Sequence, residues 1–514
     1  MQTRRKLIIA AVIAIGAPLA SRASDWPMWG HGPSRNMVSD EKGLVETFDP
    51  GKYKQGSEEI DMATTKNVKW VAKLGSQAYG NPVVAGGRVF VGTNNETPRD
   101  PKYKGDRSVL MCLDEKTGNL LWQLNIPKLG TGKISDWEYL GICSSAAVDG
   151  DRVYVVSNRA EVLCLDVNGL ANGNDGPFKD EAKYLAGPGK PPVELGPTDA
   201  DIIWRFDMRE ELGVFPHNIS ASSILIAGDK LLCATSNGVD WNHTSIPNPR
   251  APACVMLDKN TGKLLGEEAS GVSARTLHSN WSSPAFGAVG GKDMVIFGGG
   301  DGFCYGYASE PEKAADGINT LKEVWKFDCD PPTYRVKDGK PKKYATFDGP
   351  SEVIATPVFY NGRVYVPIGQ DPEHGEGIGS LSCIEASKTG DITKTGAIWT
   401  YDKIHRSLST PTVTGGLVFV GDYSGFVHCL DADTGKPYWV YDTKSHIWGS
   451  TMVADGKVFI GTEDGDLIML QAGKTMKVVS KIDMKSPLYS SPVVANGTLY
   501  VATPTHLYAI GAKT

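Results

Sequence analysis

Apolar residues along this chain come in short runs, and the runs come in pairs. Small-residue segments such as Asn81-Pro82-Val83-Val84, Ser283-Pro284-Ala285-Phe286, Thr410-Pro411-Thr412-Val413 and Ser491-Pro492-Val493-Val494 precede β-branched and aromatic segments such as Val89-Phe90-Val91, Val418-Phe419-Val420 and Leu499-Tyr500-Val501. Val153-Tyr154-Val155, Val364-Tyr365-Val366 and Val458-Phe459-Ile460 follow the same pattern. Between the two runs of each pair stands a turn dipeptide: Gly86-Gly87, Asp149-Gly150, Gly228-Asp229, Gly290-Gly291, Asn361-Gly362, Gly415-Gly416, Asp455-Gly456 or Asn496-Gly497. Such runs read as strands and such dipeptides as two-residue hairpin turns, so the pattern predicts eight antiparallel pairs.

A second signature follows the pairs: a strand ending in Leu-Asp, a Thr-Gly turn, then Trp. It stands at Leu113-Asp114, Thr117-Gly118 and Trp122, and again at Leu430-Asp431, Thr434-Gly435 and Trp439. Worn copies are Leu257-Asp258 with Thr261-Gly262, and Thr389-Gly390 with Trp399. The Trp slot falls at 70, 122, 204, 266, 325, 399, 439 and 479, with Gly266 and Val479 in place of the ring at two of them. The shortest period is 40 residues, that of a four-stranded propeller blade, and longer periods are that blade plus loops. The last copy supplies only three strands, whereas Asn67-Val68-Lys69-Trp70 is a strand with no copy before it. Pairing them removes two exposed sheet edges. The expected fold is all-β: one eight-bladed propeller over 24–514, closed by a strand near 67–73, with the Trp slots wedged between blades.

Composition agrees with short strands and tight turns: 59 Gly, 12 Trp and 19 Tyr in 514 residues. The net charge is −6, and no basic run is long enough to track a phosphate backbone, which excludes nucleic-acid binding from the expected functions. Residues 1–23 read as a signal peptide: a basic Thr3-Arg4-Arg5-Lys6, an apolar stretch from Leu7 to Ala20, and a small-x-small site at Ser21-Arg22-Ala23. That stretch is short for a membrane span. The reading is Sec export to the periplasm or exterior, with a twin-arginine route as the alternative allowed by Arg4-Arg5. With no Cys near the cleavage point, a lipoprotein is not expected. Setting aside Arg4, Arg5, Lys6 and Arg22 takes the net charge from −6 to −10.

The repeats, Leu-Asp-x-x-Thr-Gly-x-x-x-Trp after Gly-x-Val-Tyr-Val hairpins, resemble those of the PQQ-like quinoprotein propellers over essentially the whole mature chain. The opening Asp25-Trp26-Pro27-x-x-Gly30 is similar to the start of exported members. Two functional classes share that resemblance: quinoprotein alcohol dehydrogenases, and non-catalytic propellers similar to the barrel-assembly component BamB. The dehydrogenase class implies PQQ and Ca²⁺ in the funnel, an Asp base, and a disulfide between adjacent cysteines. Adjacent cysteines and a Cys-x-x-Cys-His haem site are both missing from this sequence. The lipobox Cys common in the BamB class is missing too.

Nine cysteines in an exported chain would ordinarily suggest disulfides. Their positions argue otherwise. Cys112, Cys164, Cys383 and Cys429 share one repeat slot, and Cys254 and Cys304 lie two residues earlier on the same strand face. Equivalent points on packed sheets stand about 10 Å apart, beyond the reach of a disulfide. Cys143 and Cys233 sit in apolar strand contexts, which leaves Cys329 as the candidate reactive or paired thiol.

The connections between blades, and the loops joining second to third strands, share one face of the disc, and that face collects the unusual residues. Interblade segments bring His217, Asn218, His278, Trp281, Asp348, His405, Arg406, His446 and Trp448; second-to-third loops bring Asp240-Trp241-Asn242-His243 and Asp371-Pro372-Glu373-His374. A rim of imidazole, carboxylate and indole around a funnel is where a propeller holds its ligand. Any one of these histidines also reads as a loop cap or a bond to a neighbouring blade. The small pairs Ser144-Ser145, Ser222-Ser223, Ser282-Ser283, Ser409-Thr410, Ser450-Thr451 and Ser490-Ser491 read as packing at a crowded axis. Insertions at 167–201 and 330–349 project from opposite faces, the second from the site face.

The expected function is an exported, non-catalytic propeller that binds an envelope protein or small-molecule ligand on this face. The alternative is a PQQ- and Ca²⁺-dependent dehydrogenase of alcohols or sugars, with Asp240 or Asp348 as base and Arg406 holding quinone carboxylates. His217, Asn218, Trp241, Asn242, His243, His278, Trp281, His374, His405, Arg406, His446 and Trp448 are the candidate funnel residues. No Glu-Asn-Asp set stands out as a calcium cage.

Overall fold

The paired runs fold as their alternation requires. In blade one, Val83–Ala85, Arg88–Asn94, Arg107–Asp114 and Leu120–Pro127 pair antiparallel in chain order, starting at the central axis. The computed structural model describes residues 24–314 and 317–512, and the leader read at 1–23 lies outside them. Seven further sheets repeat this four-stranded order, making an eight-bladed β-propeller. In the last blade, Val68–Lys73 runs antiparallel to His506–Ile510, with Val71 opposite Tyr508 and Ala72 opposite Leu507. Among the described residues no helix is long and apolar enough to cross a membrane.

The Leu-Asp, Thr-Gly and Trp positions make one joint, repeated at the seams. A β-bulge falls where the third strand meets the Trp slot, between Cys112 and Leu113, Cys164 and Leu165, and Cys429 and Leu430. It turns the indole toward the next blade. There the ring lies on the turn glycine: a Cβ on Gly118 would come within 2.6 Å of Trp70, and one on Gly435 within 2.6 Å of Trp399. The Asp of the signature folds that turn, since Asp431 Oδ1 accepts bonds from the Thr434 amide and hydroxyl. The indole N–H then donates across the seam, Trp122 to the Val167 carbonyl and Trp399 to that of Ala432. Core clusters mix neighbouring blades accordingly, packing Phe90 and Trp122 with Val153, Leu163 and Ile202.

Two layers close the axis. At the inner strand ends, seven amide-to-side-chain bonds run from blade to blade: Asn81 to Ser145, Ser145 to Ser223, Ser223 to Ser283, Thr356 to Thr410, Thr410 to Ser450, Ser450 to Ser491, and Ser491 back to Asn81. The small residues therefore form a hydrogen-bonded arc, bridged between blades four and five by the Ser282 hydroxyl donating to the Ala355 carbonyl, as well as easing the crowding. Beyond it, residues 24–38 plug the channel. Their backbone bonds to Val84, Val148, Phe286, Phe359, Val453 and Asn496, and Asn36 bonds both ways with Val413. Fully buried Arg35 completes the circuit by donating to the carbonyls of Ser223 and Pro284, and to Trp29 of its own segment.

All nine cysteines are free. Cys329, the candidate reactive thiol, is buried, and burial pushes its thiol well above the ordinary range, which makes it a poor nucleophile. The 167–201 insertion carries the short helix Glu181–Ala186, whose Leu185 packs against blade one. The 330–349 insertion carries Pro332–Arg335 and brings Tyr344 to the site face.

Candidate functional site

With the plug as its floor, the funnel is a cup of about 410 Å³. Trp29 forms part of that floor, its Nε1 donating to Thr356 Oγ1 at 3.0 Å. The walls are rings. Tyr79, Trp448 and Tyr489 make a cluster with centroids 5.0–6.5 Å apart, and Trp281 and Trp137 stand on other parts of the wall. Of the predicted funnel residues, Asn218, Trp281 and Trp448 line this cup. Trp29, Tyr79 and Tyr489 also line it and were not among the predicted site residues, while Asp371 lines it from the loop that the sequence assigned to this face. Each of the first three sits just before a first strand or in the plug, and the ring at such positions was the available signal.

At the rim, three predicted histidines meet. His243 Nε2 lies 3.2 Å from His217 Nε2 and 3.0 Å from His278 Nε2. His217 comes from the blade two–three connection, His243 from the second-to-third loop of blade three, and His278 from the blade three–four connection. Gly238 lets the segments carrying them close up, because a Cβ there would sit 2.5 Å from the His278 carbonyl and 2.7 Å from His217 Cβ. His217 Nδ1 bonds the Val239 carbonyl at 2.8 Å. Burial lowers His217 to about 4 and depresses His278 and His374 as well, so these rings are neutral at pH 7. His374 stands beside them, 5.2 Å from His278 between ring centroids. Tyr344 packs on both rings and donates to Glu352, which also accepts the Ser279 amide. Complete burial pushes the Glu352 carboxyl well above its usual range.

The other predicted residues do not join this group. His405 bonds Asp422, which also takes a bond from His428, and His446 lies between Glu463 and Glu376 while stacking on Tyr423. These two line a separate hollow of about 560 Å³ nearer the edge. Trp241 and Asn242 are exposed. Asp240 does not line the cup; it braces its own loop through Ser245 and Thr244, which hold its carboxyl at about 2. Asp348 pairs with Lys342, which lowers it. Arg406 is buried with its guanidinium on the carbonyls of Gly375, Glu376 and Thr346.

The lining does not fit PQQ with Ca²⁺. PQQ is a planar tricarboxylate, and among the described residues lining the cup none is Lys or Arg. The rings could stack on such a plane but would leave its charge unbalanced. Calcium takes oxygen donors, whereas the one cluster of His, Cys, Asp or Glu found close enough to share an ion, among the described residues, is the nitrogen set of His217, His243 and His278.

The sequence model of the family described as outer membrane protein assembly factor BamB matches residues 59–125, 105–170 and 371–478. The chain is 29% identical over 167 residues to the 1-butanol dehydrogenase (cytochrome c) of Thauera butanivorans, covering 29% of this chain and 24% of that protein. It thus spans about a quarter of that relative's length. BamB from Moraxella catarrhalis superposes with a TM-score of 0.51 at 14% identity, over 86% of this chain and 96% of that one. This likeness is one of fold. The quinohemoprotein alcohol dehydrogenase from Comamonas testosteroni aligns with a TM-score of 0.47 at 16% identity, over 97% and 82% of the two chains.

Proposed function

From the premise that the chain is an eight-bladed propeller of PQQ-like repeats, similar in fold to BamB, we propose that it is a non-catalytic binding protein of the cell envelope. Its cup takes an apolar, uncharged group of a small-molecule ligand. The observation that carries this reading is the cup itself: plugged at one end, walled by Trp137, Trp281, Trp448, Tyr79 and Tyr489, and lined, among the described residues, by carboxylates only at Asp371 and Glu373. Aromatic walls bind apolar groups by area and stacking, and a cup of this size suits a small molecule. Asp240 and Asp348, the two aspartates considered as bases, are held in local contacts off the lining. Export follows from the leader read in residues 1–23.

A second reading, a PQQ- and Ca²⁺-dependent dehydrogenase of alcohols or sugars, has in its favour the 29% identity to a butanol dehydrogenase over 167 residues. The donors around the cup favour the first. Titrating residues 24–514 with the uncharged fluorophore N-phenyl-1-naphthylamine tests it. Saturable binding that weakens about tenfold or more in Trp448→Ala, as loss of a ring contact of about 1.5 kcal/mol requires, is the expected result. Binding unaffected by Trp448→Ala would place the apolar site elsewhere.

A further inference from the structure

Three imidazoles at the rim face one another through the same atom. His217 Nδ1 lies 2.8 Å from a backbone carbonyl, which only accepts, so Nδ1 carries the proton and Nε2 presents a bare lone pair. His243 Nε2 is shared between two contacts, at 3.2 Å to His217 and 3.0 Å to His278. One N–H lies along only one of those two directions. In neutral rings the other contact sets two nitrogens together with no proton between them, an arrangement with no stabilisation of its own. A cation between them removes the conflict. Nitrogens bound tetrahedrally at a Zn–N distance of about 2.0–2.1 Å stand about 3.3 Å apart, close to the two separations His243 makes, and all three ligand nitrogens lie within 4.8 Å of one another.

We propose that His217, His243 and His278 bind a divalent transition-metal ion of the zinc–copper class, each through Nε2, at the rim of the cup. Neutral imidazole is the donor such ions prefer, and the set contains no hard oxygen donor that would select calcium or magnesium. The surroundings support the ligands as an outer shell does: the Val239 carbonyl fixes His217, and the buried Asp371 Oδ2 stands 3.8 Å from His278 Nδ1, a ring atom without another partner. Three segments distant in sequence are brought together here by Gly238. His243 is exposed on the loop braced by Asp240, which gives an ion an entry path. Trp281 packs against His278 at 5.1 Å and also lines the cup, so the metal and the ligand of the cup share a wall.

The test uses the tag-free chain of residues 24–514, stripped with chelator and titrated with Co²⁺, Zn²⁺ and Cu²⁺ in turn. The expected result is one tightly held ion per chain, with a Co²⁺ visible spectrum of low-symmetry nitrogen coordination that Zn²⁺ bleaches. His243→Ala, an exposed loop change that leaves the fold intact, should weaken binding by more than the ~10–100-fold that loss of an outer-shell partner costs. His278→Asn, checked for folding by circular dichroism, should do the same, whereas His446→Ala in the outer hollow should not. No retained metal, or retention that survives His243→Ala, overturns the site. Loss of binding in His446→Ala instead also overturns it.

Discussion

Single residues on the site face owe their roles to what holds them. Asp422 is the clearest case: burial opposes its charge, but bonds from His405 and His428 outweigh burial and hold the carboxyl far below its ordinary value of 3.8. His405 is raised by its bond to Asp422, against a smaller lowering from burial. The two shifts describe one interaction and are counted once. A depressed carboxylate contributes stability above its unfolded pKa, lost as pH falls through the folded value; a raised imidazole contributes below its unfolded pKa, lost as pH rises through the folded one. The window of greatest stabilisation is therefore about pH 4 to 6.5. Asp422→Asn should cost about 2 kcal/mol there by urea denaturation, with the difference shrinking toward pH 2. A difference independent of pH would show that the charge plays no part. The residue types of the site were legible in the sequence, because the topology assigns loops to faces. Which histidines touch was not, since His217, His243 and His278 meet only through loop paths and the missing Cβ of Gly238. For the same reason Asp240 read as a candidate base in the sequence, while in the fold it is tied to Ser245 and Thr244.

At the scale of the element, the seam joint explains why one motif recurs. Leu-Asp-x-x-Thr-Gly turns back exactly where the preceding blade's indole needs room, as Gly435 does over Trp399. Gly435 has φ +69°, and a Cβ would lie 2.6 Å from the ring, whereas Gly416 has φ +75° with nothing near. Both lose about 1–2 kcal/mol on replacement by Ala from left-handed backbone alone. Gly435→Ala adds an overpacking cost of about 1–3 kcal/mol, so its melting temperature should fall clearly below that of Gly416→Ala. Equal losses would mean that the seam repacks freely. Strands, hairpins and Trp slots were legible because each depends on residues close in sequence. The worn slots at Gly266 and Val479 remain within fourth strands or beside their ladder, so the register outlasts the ring. The long loops were less legible: the helix Glu181–Ala186 and the placing of Tyr344 beside His278 depend on neighbours far along the chain.

Over the whole molecule, eight blades make a disc and the chain's own beginning makes it a cup. The Asp25-Trp26-Pro27 opening read as a family likeness; in the structure its segment reaches all eight blades, with Arg35 buried where the inner strands meet. No periodicity signals such a plug, because it is a single irregular segment whose partners repeat and which itself does not. It turns an open channel into a closed pocket, and the wall chemistry then decides what enters: indole and phenol rings, and few charges. The central claim is that this pocket serves binding and not quinone catalysis. The direct measurement is to incubate the purified chain with PQQ and Ca²⁺, pass it through gel filtration, and assay the protein peak for quinone absorbance and for dye reduction with alcohols and sugars. The account predicts no quinone in the peak at high micromolar PQQ and no substrate-dependent reduction; retained quinone with alcohol-dependent turnover would contradict it.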